Sequence, residues 1–166
     1  MEPINDKDKV IESLIQSIDN GEHNDVDIKL EDGMISASKL ILSTRSEYFQ
    51  KMFNKSSQFE EQKTSSVNFP CKRVIMQKIL EHLYGGNLSV SGLTCLEMIE
   101  LLNMLRLLLL EESFESVEDY LLQQLEKIVP IEECLDAVET ANSLKFESIT
   151  SMILGRISCS LGITLK

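Results

Sequence analysis

Basic residues are scarce in this chain. Lys and Arg number 16 against 27 Asp and Glu, giving a formal charge of −11 and a pI near 4.6. Phosphate binding requires clustered Lys and Arg, so nucleic acid is excluded as a partner. Histidine is scarcer still. His23 and His82 lie far apart with no second ligand at Cys or His spacing, and no metal site is expected. The four cysteines, Cys71, Cys95, Cys134 and Cys159, include no Cys-x-x-Cys and are too scattered for a disulfide framework. Reduced, buried or partly buried thiols are expected. Catalytic signatures are missing too: no Gly-x-Ser-x-Gly, no phosphate-binding glycine loop and no His-Glu-x-x-His. Neither an enzyme nor a cofactor is therefore expected. The first residues are charged and lack the apolar core of a signal peptide, which points to a cytoplasmic or nuclear protein. Residues 96–110 are very apolar, yet shorter than the ~20 residues of a membrane span. Glu97, Glu100, Asn103 and Arg106 also interrupt them, so a largely buried helix is predicted there and no membrane is expected as a partner.

What is present is a chain of 166 residues that is 43% hydrophobic, enough for one domain with a real core or one domain and the start of another. A helix is predicted from about Asp6 to Asp19, with Val10, Ile11, Leu14, Ile15 and Ile18 on one face and Asn20-Gly21 to end it. Val26, Ile28 and Leu30 then alternate with Asp25, Asp27 and Lys29, the pattern of a strand with one buried face. Asp32-Gly33 supplies a turn, and Ile35 and Ala37 resume the alternation. Leu40 to Phe53 reads as two short helices, residues 54–66 as a polar loop, and Ser66 to Phe69 as a short strand stopped by Pro70. Lys72 to Tyr84 is an amphipathic helix closed by Gly85-Gly86. Leu88-Ser89-Val90 is expected as a small edge strand, and Thr94 as the cap of the apolar helix that follows. Helices over Ser116–Ile128, Ile131–Asn142 and Leu144–Ser158 complete an α+β fold, a small mixed sheet covered by helices with a helical pair at the end.

The hairpin that runs into Ala37-x-Lys39, Leu42-Ser43 and Ser46-x-Tyr48-Phe49-x-x-Met52-Phe53 closely resembles the BTB/POZ family. Leu83-Tyr84-Gly85-Gly86 is similar to that family's Ile-Tyr-Thr-Gly segment, and Ile99 to Leu110 to its next helix. Residues 117–157, with Pro130, Cys134-Leu135 and Ala141, resemble the start of a BACK domain, whose helical pair is often called the three-box. The resemblance implies a BTB/POZ domain over residues 1–115 and the start of a BACK domain over residues 116–166. It departs from the family at Ser38-Lys39, where most relatives have a His before the Lys, and it shows no Kelch, zinc-finger or MATH module that would bind a substrate.

The resemblance carries functional expectations. The first helix would pack across a two-fold axis, placing Val10, Ile11, Leu14, Ile15 and Ile18 in a homodimer interface. Phe59-Glu60-Glu61 resembles the apolar-x-Glu motif through which many BTB proteins grip cullin-3, which implies Phe59 as an anchor and Glu61 as its acidic neighbour. Asp25 and Lys39 would form a charged pair in the dimer groove; an ordinary strand-end pair explains them as well. The implied function is a BTB–BACK adaptor for a cullin-3 ubiquitin ligase. The alternative is a dimerisation platform of a transcription repressor or cytoskeletal scaffold. The acidic cluster Glu111, Glu112, Glu115, Glu118 and Asp119 suits a helix start, where carboxylates complement the dipole.

Overall fold

The alternation of Val26 and Ile28 with polar residues does produce a strand, and the turn after it folds the chain back. In a computed structural model, which describes residues 7–21, 23–53, 65–126, 131–160 and 162, β1 spans Val26–Leu30 and β2 spans Gly33–Ala37. They pair antiparallel with Val26 opposite Ala37 and Ile28 opposite Ile35, so these four apolar residues of one hairpin face are buried together. β3, Ser66–Asn68, adds parallel to β1 with Val67 beside Ile28. The sheet order is β2-β1-β3, the small mixed sheet expected.

Two packing units divide the chain, Met1–Ser89 and Val90–Lys166. Among the described residues, the first holds the sheet and four helices: α1 (Lys7–Asn20), α2 (Lys39–Arg45), α3 (Glu47–Phe53) and α4 (Arg73–Gly85). Gly21 at φ +69° and Gly86 at φ +81° end α1 and α4 in the left-handed conformation that glycine adopts without strain. Phe49 is fully buried, edge-on to Tyr48 and Phe69 and stacked on Phe53 at 5.8 Å. Leu88-Ser89-Val90 is not a strand: it has no ladder partner in the sheet, and three residues cannot hold an extended edge alone.

Polar contacts between distant residues close this unit. The Ser38 N–H donates to Tyr84 Oη at 2.8 Å, and the Arg73 N–H donates to Asp32 Oδ1 at 2.7 Å. Two side chains reach carbonyls of β2: Asn24 Nδ2 donates to Ser36 O at 3.2 Å and Arg73 Nη1 to Met34 O at 3.1 Å. Carbonyls alternate in direction along a strand, and that of Ala37 accepts from Asp25 N–H toward β1. Those of Met34 and Ser36 therefore lie on the outer edge.

The second unit is helical: α5 (Cys95–Leu107), α6 (Glu111–Glu126), α7 (Ile131–Ser143) and α8 (Glu147–Ser160). Thr94 caps α5 as expected, and with Glu97 it forms a complete capping box. Three details depart from the sequence reading. α5 stops at Leu107 in the middle of its leucine run, and α8 starts at Glu147 rather than Leu144. α6 starts at Glu111 rather than Ser116, because Glu111 and Glu112 suit a first turn. No helix among the described residues is long and apolar enough to cross a membrane.

α5 and α7 end alike. Leu110 N–H donates to Leu105 O and Phe146 N–H to Ala141 O, both at 3.0 Å. Both closures place a non-glycine residue in the left-handed region, Leu109 at φ +57° and Lys145 at φ +61°. Arg106 joins the two ends. Its guanidinium donates to Leu144 O at 3.2 Å and to Asn103 Oδ1 at 3.0 Å, and it lies 4.6 Å from the centre of the Phe146 ring.

Candidate protein-interaction site

The five apolar residues of α1 do not share one environment. Ile18 is buried. Ile11 and Ile15 pack on the end of α4, where a Cβ on Gly85 would lie 2.8 Å from Ile15 Cδ1 and 3.5 Å from Ile11 Cγ2. A side chain at 85 would require the Ile15 Cδ1 methyl, the far end of a flexible side chain, to move aside. Val10 and Leu14 turn instead to a cavity of about 550 Å³, which they line with Ser13, Ser17, His23 and the start of α2 at Ser38 and Ile41. Val10 is 55% exposed, and Leu14 is half-buried. The predicted interface residues thus divide into a set that seats α1 on its own unit and a set that remains accessible. A sequence stripe broader than one contact face carries that signal, but the position of Gly85 in space does not follow from it.

Asp25 and Lys39 are brought together through the backbone. Asp25 Oδ1 accepts from the Lys39 N–H at 2.7 Å, which satisfies a free donor at the start of α2. The Lys39 ammonium lies elsewhere, 5.6 Å from the centre of the Phe53 ring. Ser38 occupies the N-cap position of α2 without a side-chain cap bond, and its N–H is taken by Tyr84. Burial raises the pKa of the Tyr84 phenol, and the Asp25 charge adds to that shift while the bond from Ser38 opposes it. His82, also on α4, titrates below its usual range because of burial and the Arg45 charge.

Phe59 and Glu61 lie outside the described residues. The helices resembling a three-box are described in part: Val117, Leu121 and Leu125 of α6 and Ala137 and Ala141 of α7 are buried, whereas Leu135 is 54% exposed. Cys71, Cys95 and Cys134 are buried free thiols and Cys159 is an exposed one. Burial, then the charges of Glu133 and Cys134, push the Cys95 thiol up to about 11, which leaves it a poor nucleophile at neutral pH. No group of His, Cys, Asp or Glu among the described residues is placed to hold a metal ion. What this geometry offers is an apolar helix face beside a cavity, a feature suited to contact with another protein.

Comparison with known proteins agrees. The family model described as the BTB/POZ domain matches residues 14–125. The human Rho-related BTB domain-containing protein 1 is 38% identical over 90 residues, 53% of this chain. The aligned stretch spans only 13% of that relative's length. Among solved structures, the BTB domain of zebrafish PATZ1 superposes with a TM-score of 0.57 at 19% identity, over 74% of this chain and 98% of that one. At that identity the likeness is one of fold.

Proposed function

Since the chain belongs to the BTB/POZ domain family, whose members are protein-interaction modules, we propose that it is a homodimeric BTB–BACK adaptor that recruits cullin-3. The observation that carries the dimer is the division of α1. Ile11, Ile15 and Ile18 are used within the chain, while Val10 and Leu14 stay open beside the cavity at α2. A second copy related by a two-fold axis covers such a face symmetrically. Light scattering at micromolar concentration is expected to give a dimer mass, and Val10→Asp with Leu14→Asp is expected to give a monomer that keeps its helical circular dichroism. A monomer mass for the unaltered chain would remove the dimer from the proposal.

Recruitment of cullin-3 rests on Phe59-Glu60-Glu61 and on the resemblance of residues 117–157 to a three-box. Calorimetric titration with the cullin-3 N-terminal domain tests it. Phe59→Ala is expected to weaken binding by about 2 kcal/mol, the range of an interface anchor. Leu135→Ala tests the helical contribution more cleanly than removal of residues 129–166, because α7 packs on α5 and its loss would uncover core. A stable dimer with no affinity for cullin-3 would leave the dimerisation platform as the function.

A further inference from the structure

Two buried thiols of the second unit lie level with each other. α5 packs on α7, and at their C-terminal ends the Arg106 guanidinium holds Leu144 O. Cys95 stands 11 positions before Arg106, and Cys134 stands 10 before Leu144. At about 1.5 Å of rise per residue those offsets agree to within about 2 Å, so helices lying side by side bring the two cysteines to one height. A second pin acts there: the Cys95 thiol donates to the carboxylate of Glu133, the residue before Cys134. Cys95 and Cys134 are 3% and 2% exposed, and both are free thiols. Each belongs to the first turn of its helix, with an exposed neighbour in sequence, Thr94 or Leu135. First turns open at low cost, which admits a small oxidant without unfolding the unit.

The charges around the pair are unequal. Burial, then Glu133 and Cys134, push the Cys95 thiol up to about 11. Burial raises Cys134 too, but Arg156 of α8 opposes that shift, while Glu133 adds to it. Arg156 Nε is buried with no hydrogen-bond partner among the described residues. A guanidinium beside one thiol and a carboxylate bonded to the other give them different parts. Cys134 is the sulfur that ionises more readily, and Cys95 is the one that keeps its proton. A helix start by itself would acidify a thiol, so Glu133 acts as a guard that slows reaction at neutral pH.

We propose that Cys95 and Cys134 are a guarded redox pair, which hydrogen peroxide closes into a disulfide joining the first turns of α5 and α7. The Cys134 thiolate attacks one peroxide oxygen, the O–O bond breaks, and hydroxide departs, leaving Cys134 as a sulfenic acid. The Cys95 sulfur then attacks the Cys134 sulfur, the S–OH bond breaks, and that oxygen departs as water with the Cys95 proton. Two thiols are oxidised, and one peroxide is reduced to two waters. The pair uses neither α1 nor Phe59, so it stands or falls apart from the adaptor reading. The test takes the full chain carrying Cys159→Ser, which removes the exposed thiol, treats it with hydrogen peroxide and digests it without reduction. Mass spectrometry is expected to find the peptides of Cys95 and Cys134 linked with the loss of two hydrogens, and dithiothreitol to release them. The melting temperature is expected to rise on oxidation and to fall back on reduction. Linking is expected to quicken as pH rises, and Glu133→Gln to speed it about tenfold at neutral pH by freeing more thiolate. With Cys95→Ser, dimedone is expected to trap the sulfenic acid on Cys134, and oxidation to leave the melting temperature where it was. The proposal is overturned if the folded chain gives no linked peptide, if the link forms only in urea, if it does not raise the melting temperature, or if Glu133→Gln leaves the rate unchanged.

Discussion

The two packing units are fixed in contrasting ways. In Met1–Ser89, closure depends on bonds between distant residues: Ser38 to Tyr84 across 46 positions, Arg73 to Asp32 across 41, and Lys39 to Asp25 across 14. In Val90–Lys166, most polar closure is local: the capping box at Thr94 and Glu97 and two helix ends bonded to carbonyls five residues back. Among the described residues, Arg106 to Leu144, across 38 positions, is a long-range exception. The difference follows from the elements. A sheet pairs residues remote in sequence and needs pins to hold helices on it, whereas a helix satisfies its own backbone and needs attention only at its termini.

Breaking the aromatic cluster is the severest test of that contrast. Phe49→Ala removes a fully buried ring from the first unit and is expected to destabilise it by about 3–5 kcal/mol in urea unfolding. Hydrogen exchange at Leu102 and Leu105 then reports on the second unit. If those amides lose protection equally, the units unfold together and the contrast concerns architecture, not stability. Next is Tyr84→Phe, which strips the acceptor from the Ser38 N–H and is expected to lower stability by about 1–2 kcal/mol. Exchange of the Ser38 amide should quicken; an unchanged rate would mean that this long-range pin is dispensable. Thr94→Ala breaks the capping box and is expected to lower stability by about 1 kcal/mol, with faster exchange confined to the first turn of α5. The smallest effect has the opposite sign. Lys145→Gly relieves a left-handed non-glycine residue and is expected to stabilise the chain by about 0.5–1 kcal/mol, read as a higher melting temperature. A loss of stability there would show that the Lys145 side chain matters more to this helix end than its backbone strain.

Local chemistry was the legible part. The alternation at Val26 and Ile28, the caps at Thr94 and Gly86 and the amphipathic α4 all follow from periodicity and terminal residues. The end of α5 was hidden because Leu107-Leu108-Leu109-Leu110 contains no glycine or proline to mark a stop; tertiary packing of Leu108 decides it. The bond from Ser38 to Tyr84 was likewise invisible, since nothing local to either residue announces the other. At the candidate site, a broad stripe on α1 was readable, but its division was not. Which residues seat the helix depends on how α1 meets the end of α4, a contact between elements far apart in sequence. Asp25 and Lys39 were readable as neighbours, though the bond runs to a backbone amide rather than to the ammonium.

The covered carbonyls of β2 have a further consequence. An exposed strand edge is a template on which another unfolded or extended chain can nucleate intermolecular sheet. On β2 two acceptors of that template are already taken, Ser36 O by Asn24 and Met34 O by Arg73. Arg73 adds a charge at the rim, which an incoming apolar strand would have to desolvate. A concentrated solution of this protein is therefore guarded on that side against runaway growth into fibrillar aggregates, by two side chains that lie outside the strand they protect.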